Sequence, residues 1–168
     1  MTTFFDIRDE YNKKGEVLIA TDIENGEKFI LNENIASPQI TDYNGKKCFI
    51  EKLMDKTKIV VAGAGHVSMD FAKVAEILCF DLIIIDDRAE FANSERFPNA
   101  QIICGNIGES LKSDFGKNVY YVIMTRGHKD DYEALKTILS KEYKYVGMIG
   151  SRKKVAFVKD KLKNDGFT

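Results

Sequence analysis

Apolar and polar positions alternate in two different ways along this chain, and the change falls near residue 56. From Lys58 onward, continuous Val/Ile-rich runs at Ile59–Ala62, Leu82–Asp86, Ile102–Cys104, Val119–Met124 and Tyr145–Ile149 predict strands. Runs apolar at successive positions suit parallel strands covered on both faces. Between them, spacing of three and four predicts helices over His66–Leu78, Asp130–Ser140 and Lys153–Lys163, with a shorter one near Gly108–Lys112. Val67, Phe71, Val74 and Leu78 form the stripe expected to pack against the sheet. Strand–helix alternation of this kind predicts right-handed crossovers and a doubly wound α/β fold, a five-stranded parallel sheet in the order 3-2-1-4-5.

Residues 1–55 follow a different pattern. A short helix is expected from Asp6 to Lys13, then extended segments at Val17–Thr21, Lys28–Leu31 and Lys47–Leu53. The turn signals Asn25-Gly26 and Asn44-Gly45 separate them. The organisation expected is therefore a small α+β appendage with an antiparallel β-sheet (1–55), followed by a ligand-binding α/β domain (56–168).

Composition narrows the function classes. Lys plus Arg is 25 against 26 for Asp plus Glu. Without a basic excess, an electrostatic nucleic-acid footprint is not expected. No 18-residue apolar run and no signal-like N-terminus are present, so no membrane partner is expected and the cytoplasm is the expected location. Three widely separated cysteines, Cys48, Cys79 and Cys104, fit reduced thiols rather than a disulfide scaffold.

Gly63-Ala64-Gly65-His66-Val67-Ser68 follows the first parallel strand and opens a helix. It is a dinucleotide-type glycine turn with Ser68 in place of the third glycine. Gly63 suits a tight turn, and Gly65 lets backbone approach a phosphate at the helix N-terminus. The second strand ends in Asp86-Asp87, about 20 residues further on, where a carboxylate can accept from a ribose diol and repel a 2′-phosphate. NAD is thus favoured over NADP if a dinucleotide binds. The plainer alternative is a tight βα turn with no ligand.

The chain's two histidines both follow strands that a 3-2-1-4-5 order makes neighbours. His66 follows the first, and His128 follows the fourth in Thr125-Arg126-Gly127-His128. They border the switch-point crevice where such sheets bind ligands. Helix N-termini disfavour cations, so neutral rings suited to hydrogen bonding or proton transfer are expected, and His66 and His128 are the candidate catalytic residues. Bracing a turn is the alternative role for each. Two histidines fall short of a closed zinc site, and no metal is expected. Cys104 is expected to be a small buried hydrophobe.

The fifth strand runs into Gly147-Met148-Ile149-Gly150-Ser151-Arg152. Gly150, Ser151 and Arg152, with Arg126, can hold an anion through N–H groups and guanidinium forks. Lys153 and Lys154 read as a solvated helix face. A long segment, Asp87-Arg88 to Phe97-Pro98, follows the second strand. It can cover one end of a ligand, with Phe91 and Phe97 more suited to pinning the loop than to stacking on a base.

Taken together, Gly63-Ala64-Gly65-His66, Asp86-Asp87-Arg88, Glu95-Arg96-Phe97-Pro98, Thr125-Arg126-Gly127-His128 and Gly147-Met148-Ile149-Gly150-Ser151-Arg152 resemble, in order, the Rossmann-like C-terminal domain of XdhC-type xanthine dehydrogenase accessory proteins. The resemblance spans roughly Cys48 to Lys163. It implies a maturation factor that binds the molybdenum cofactor (molybdopterin). Its implied partners are a cysteine desulfurase, which sulfurates that cofactor, and an apo molybdenum hydroxylase, which receives it. The family's Gly-Ser-x-Pro-Arg and Ser-Gly-Gly-Cys segments are not recognisable in residues 1–55, and its Pro-Ile-Gly-Leu segment does not follow the last helix. A reduced family member or part of a longer protein is therefore expected. Two other classes remain open: an NAD-dependent oxidoreductase with His66 or His128 as proton donor, and a nucleotide-sensing regulatory module. Self-association is compatible with all three.

Overall fold

In a computed structural model, residues 2–167 are described apart from 34, 36, 55 and 117. The chain divides into two compact units, Met1–Asp55 and Lys56–Thr168.

In the first unit, α1 (Phe4–Lys14) starts at Thr3, whose hydroxyl accepts from the Asp6 N–H while the Asp6 carboxylate accepts from the Thr3 N–H. This reciprocal cap satisfies two otherwise orphaned donors. Four strands follow: β1 (Glu16–Asp22), β2 (Lys28–Leu31), β3 (Gln39–Tyr43) and β4 (Lys46–Met54), antiparallel in the order β2-β1-β4-β3. Ala20, Leu31, Cys48 and Ile50 bury one face, and Val17 and Ile19 bury the other against Ile7 of α1. The β3 strand is not among those expected from sequence. Its burial alternates weakly along an edge, as a short segment with few apolar side chains must. Asn44 and Gly45 both adopt positive φ at the β3–β4 turn, the geometry that Asn-Gly favours in two-residue hairpins. A cavity of about 660 Å³ lies in this unit, lined in part by Glu10, Lys14, Leu18 and Ile30, and holds none of the sequence-predicted site residues.

The second unit is a five-stranded parallel sheet. It comprises β5 (Lys58–Ala62), β6 (Asp81–Asp86), β7 (Gln101–Cys104), β8 (Val119–Ile123) and β9 (Tyr145–Met148). Their order is β7-β6-β5-β8-β9, the 3-2-1-4-5 arrangement expected. The helices are α2 (His66–Ile77), α3 (Ile107–Ser110), α4 (His128–Leu139) and α5 (Arg152–Asn164). Register aligns Ala62 with Ile85 on one side and Ile123 on the other, so Gly63, Asp86 and Met124 leave the sheet at one level. One face packs Val60, Ala62, Ile83, Ile85, Tyr121 and Ile123 under α3 and α4. The other packs Ile59, Val61, Leu82 and Ile84 under α2 and the 87–100 segment.

Two expectations fail here, the first because periodicity shows that a stripe exists but not which stripe is inward. The α2 helix sits on its small residues, with Ser68 and Ala75 buried and Ala72 packed beside them. The Ser68 hydroxyl donates to the Gly63 carbonyl at 2.6 Å, drawing the helix close to the strand. The larger stripe is turned outward: Val67, Val74 and Leu78 are each more than half exposed, and Phe71 is only partly buried. Cys104, expected to be buried, is exposed at the end of edge strand β7, as is Cys79, whereas Cys48 is buried. All three are free thiols. Among the described residues, no helix is long and apolar enough to cross a membrane.

Candidate functional site

The glycine turn is built by its own backbone. Gly63 has φ +109°, and its N–H donates to the Ile85 carbonyl at 2.7 Å. A Cβ on Gly63 would lie 2.5 Å from the Met124 carbonyl oxygen, so the turn after β5 touches the end of β8. The Ala64 N–H donates to Asp86, and its carbonyl accepts from Arg96 Nη2 at 3.2 Å. The polar groups of Gly63 and Ala64 are thus spent on the protein itself.

Gly65 is different. It caps α2 in extended backbone, no side chain caps that helix, and a Cβ there would meet nothing within 4 Å. Nothing in the chain itself requires glycine here. The missing side chain leaves open space in front of first-turn N–H groups that the helix cannot satisfy. The first turn of α2 has no acidic residue, whereas that of α4 carries Asp130 and Asp131. Of the two glycine-capped helices, α2 is the one that favours an anion.

Asp86, expected to receive a ribose, is buried and saturated. One oxygen accepts from the Ala64 N–H at 2.8 Å and Arg88 Nη2 at 2.8 Å; the other accepts from the Arg88 N–H at 3.1 Å and Nε at 2.8 Å. A carboxylate has about four acceptor positions, and all are used. Asp86 therefore braces the glycine turn, and Asp87 beside it is the exposed carboxylate. Arg88 stacks on Phe91 at 3.9 Å, and Arg96 lies 5.0 Å from the same ring. Phe97 is buried in the core beneath. The loop aromatics thus pin the segment, as expected.

The turn after β8 is held from below. The Thr125 hydroxyl lies 2.5 Å from Asp131 Oδ1 and 3.0 Å from the Gly127 carbonyl. Asp131 is fully buried, and its other oxygen is ion-paired with Lys154 Nζ, without the angle of a hydrogen bond. Lys154 also donates to the Thr125 carbonyl at 3.0 Å. Lys154 is therefore not on a solvated face: it reaches from α5 into the turn that presents Arg126 and His128. Gly150 makes room for it, since a Cβ there would come within 3.0 Å of its stem. Ser151 caps α5 by accepting from the Lys154 N–H. The Thr125 and Ser151 hydroxyls are thus used within the protein, although Ser151 itself is exposed.

Among the proposed site residues, His66, Asp87, Arg126, His128, Gly150, Ser151 and Arg152 are exposed around the ends of β5, β6, β8 and β9. The His128 ring meets Phe157 of α5 edge-on at 5.6 Å. Among the described residues, no cluster of three or more His, Cys, Asp or Glu side chains is placed to hold a metal.

Residues 59–168 match the family described as the XdhC Rossmann domain. The chain belongs to this family. The XdhC chain is 28% identical over 114 residues to the uncharacterized protein YqeB of Escherichia coli (strain K12), a match covering 66% of this chain and 21% of that protein. It is 26% identical over 105 residues to a probable xanthine dehydrogenase subunit of Bacillus subtilis (strain 168), covering 61% of this chain and 32% of that one. A crystal structure of a xanthine dehydrogenase from Bacillus halodurans shares the fold, with a TM-score of 0.71 at 20% identity over 90% of this chain and 53% of that one. The XdhC chain therefore spans about a third or less of these curated relatives and about half of the solved structure.

Three residues that hold the XdhC site together carried no readable signal as such. Arg96 stood within a motif but without a role, and it braces the glycine turn from a position 32 residues away. Asp131 carries no sequence signal of its own, and Lys154 reads as part of a solvated helix face. Only the meeting of α4 and α5 reveals them.

Asp86 has a readable pH signature. Burial pushes its carboxyl up, but the Arg88 side chain, the Ala64 and Arg88 amides and the Arg88 charge outweigh burial and hold it below the usual carboxylate range. A depressed folded-state pKa contributes stability above the ordinary value of 3.8, and that contribution is lost as pH falls through the folded value. Asp86→Asn is expected to cost about 2 kcal/mol at pH 7. In urea unfolding, the gap from the parent protein should narrow below pH 3.8. A gap independent of pH would mean that the carboxylate charge does not brace the turn.

Proposed function

We propose that this protein is an accessory factor for a molybdenum hydroxylase of the xanthine dehydrogenase type, and that it holds the molybdenum cofactor by its phosphate-bearing end. The observation that carries this reading is the open space at Gly65, at the uncapped and acid-free N-terminus of α2. A phosphate fits there because backbone N–H groups and the helix dipole both favour negative charge. The residues that would hold the group are Gly65 and the first turn of α2, with His66, Arg126, His128 and Arg152 as exposed donors around it. When bound, the cofactor supplies the redox chemistry of the enzyme that receives it. This chain supplies binding, orientation and a protected position. Membership in the XdhC family, and relatives whose names are those of xanthine dehydrogenases, support the same context. The proposed partners are the apo-hydroxylase and a cysteine desulfurase. A dinucleotide has less support, since the saturated Asp86 leaves only Asp87 for a ribose.

Calorimetric titration with isolated molybdopterin, NAD, NADP and mononucleotides tests this reading. Molybdopterin is expected to bind. Gly65→Val should weaken it about 100-fold by blocking backbone approach, while changing stability by less than about 1 kcal/mol. His66→Ala and Arg126→Ala should weaken it less. Parent-like affinity in Gly65→Val removes the glycine turn from the site, and binding of NAD without molybdopterin replaces this function with a nucleotide-binding one.

A further inference from the structure

Arg96 holds the glycine turn with one N–H, but its charge is unmatched. Nη2 donates to the Ala64 carbonyl at 3.2 Å, and the Nε–H is buried with no acceptor. Phe91 and Phe97 flank the guanidinium at 5.0 and 6.0 Å. Ring faces attract a cation but do not neutralise it. Among the described residues, no carboxylate pairs with Arg96. Arg88, over the same Phe91 ring, has Asp86 as its counter-ion. A partly buried guanidinium with no counter-ion costs stability, because apolar surroundings replace the water that would screen it.

Those surroundings are a groove of about 460 Å³ between α2 and residues 96–100, a volume that suits a small molecule. Its apolar lining comes from Met69, Ala72, Phe80, Leu82, Phe97 and Ala100. The contact with Ala64 puts Arg96 at the end nearest the start of α2, while Cys79 and Phe80 mark the other end. The carboxylates that line the groove, Glu76 and Asp81, belong to that far end, and Glu76 already accepts from Asn99 at 2.5 Å. One end is therefore cationic and without a counter-ion, and the path leading from it is apolar.

We propose that this groove is a second binding site, for a small amphipathic monocarboxylate whose head sits on Arg96 and whose apolar body lies along α2 over Phe80 and Leu82. A single carboxylate matches the single unmatched charge. One guanidinium N–H is spent on Ala64, and a carboxylate can be held by two of the others. The site is distinct from the one at Gly65 and stands whether or not a cofactor binds there. Arg96 meets the carbonyl side of the Ala64–Gly65 peptide, whereas a phosphate would meet the N–H groups of the first turn of α2.

Octanoate is the probe, titrated into the ¹⁵N-labelled protein and followed by NMR, with octanol as the neutral control. Saturable binding is expected with a Kd on the order of 0.5 mM, ordinary for a ligand of this size. Amide shifts should concentrate at Met69, Ala72, Arg96, Phe97 and Ala100. Octanol should bind at least about tenfold more weakly, and Arg96→Met should weaken octanoate by a similar factor. Octanol binding as tightly as octanoate, or parent-like affinity in Arg96→Met, overturns the proposal. Shifts confined to Gly65–Val67 would put the anion at the start of α2 and overturn it too, as would no saturable shift up to roughly 5 mM, ten times the expected Kd. Should Arg96→Met lose its folded spectrum, the octanoate–octanol comparison and the position of the shifts in the parent protein decide.

Discussion

Gly63→Ala is expected to destabilise the α/β unit by about 4 kcal/mol or more, enough to threaten folding. Two costs combine. At φ +109° an L side chain is strained whatever surrounds it. The added methyl would also lie 2.5 Å from the Met124 oxygen and 2.8 Å from its carbonyl carbon. Those atoms belong to backbone, and neither side can yield easily. Met124 donates to the Ala62 carbonyl at 2.8 Å, while Gly63 is tied to Ile85 on the other flank. Urea unfolding measures the effect, and a loss below about 1 kcal/mol would show that the β5 turn can separate from β8. The contrast with Gly65, two residues on, is the informative part. There the backbone is ordinary and the space empty, so bulk should affect ligand binding and leave stability nearly intact. One glycine serves the fold and the other serves the ligand.

Much of this division could be read from residues alone. Continuous apolar runs at Val60–Ala62 and Ile83–Ile85, separated by helix-length segments, fix a parallel sheet because no other architecture covers both faces of such strands. Strand order then puts Gly65-His66 and Gly127-His128 on adjacent turns. Side-chain partners were less legible. Asp86 sits where a ribose-binding carboxylate belongs, yet its acceptors are filled by Arg88, only two residues away, a local contact that spacing cannot distinguish from a free carboxylate. The α2 stripe misled because Ser68, Ala72 and Ala75 repeat with the same period as Val67, Phe71, Val74 and Leu78. Close helix–sheet approach selected the small set, and the large set was left to an outer surface.

The pairing of Asp131 with Lys154 was illegible for a further reason: it depends on two helices, well separated in the chain, meeting beneath one turn. Lys154→Met is expected to cost about 3–5 kcal/mol, because it leaves a fully buried carboxylate without its cation. It also removes a donor from the Thr125 carbonyl, so the turn carrying Arg126 and His128 loses its support from α5. Asp131→Asn should cost less, since an amide oxygen can still accept from the Thr125 hydroxyl. The decisive measurement is the double substitution. If the buried charges matter chiefly to each other, Asp131→Asn with Lys154→Met should cost about 2 kcal/mol less than the sum of the two single losses in the unfolding cycle. Additive losses would mean that each residue acts alone. Ligand titration of the double variant then separates stability from placement: a protein that is stable but binds weakly would identify the Lys154–Thr125 contact as what aims this turn at the crevice.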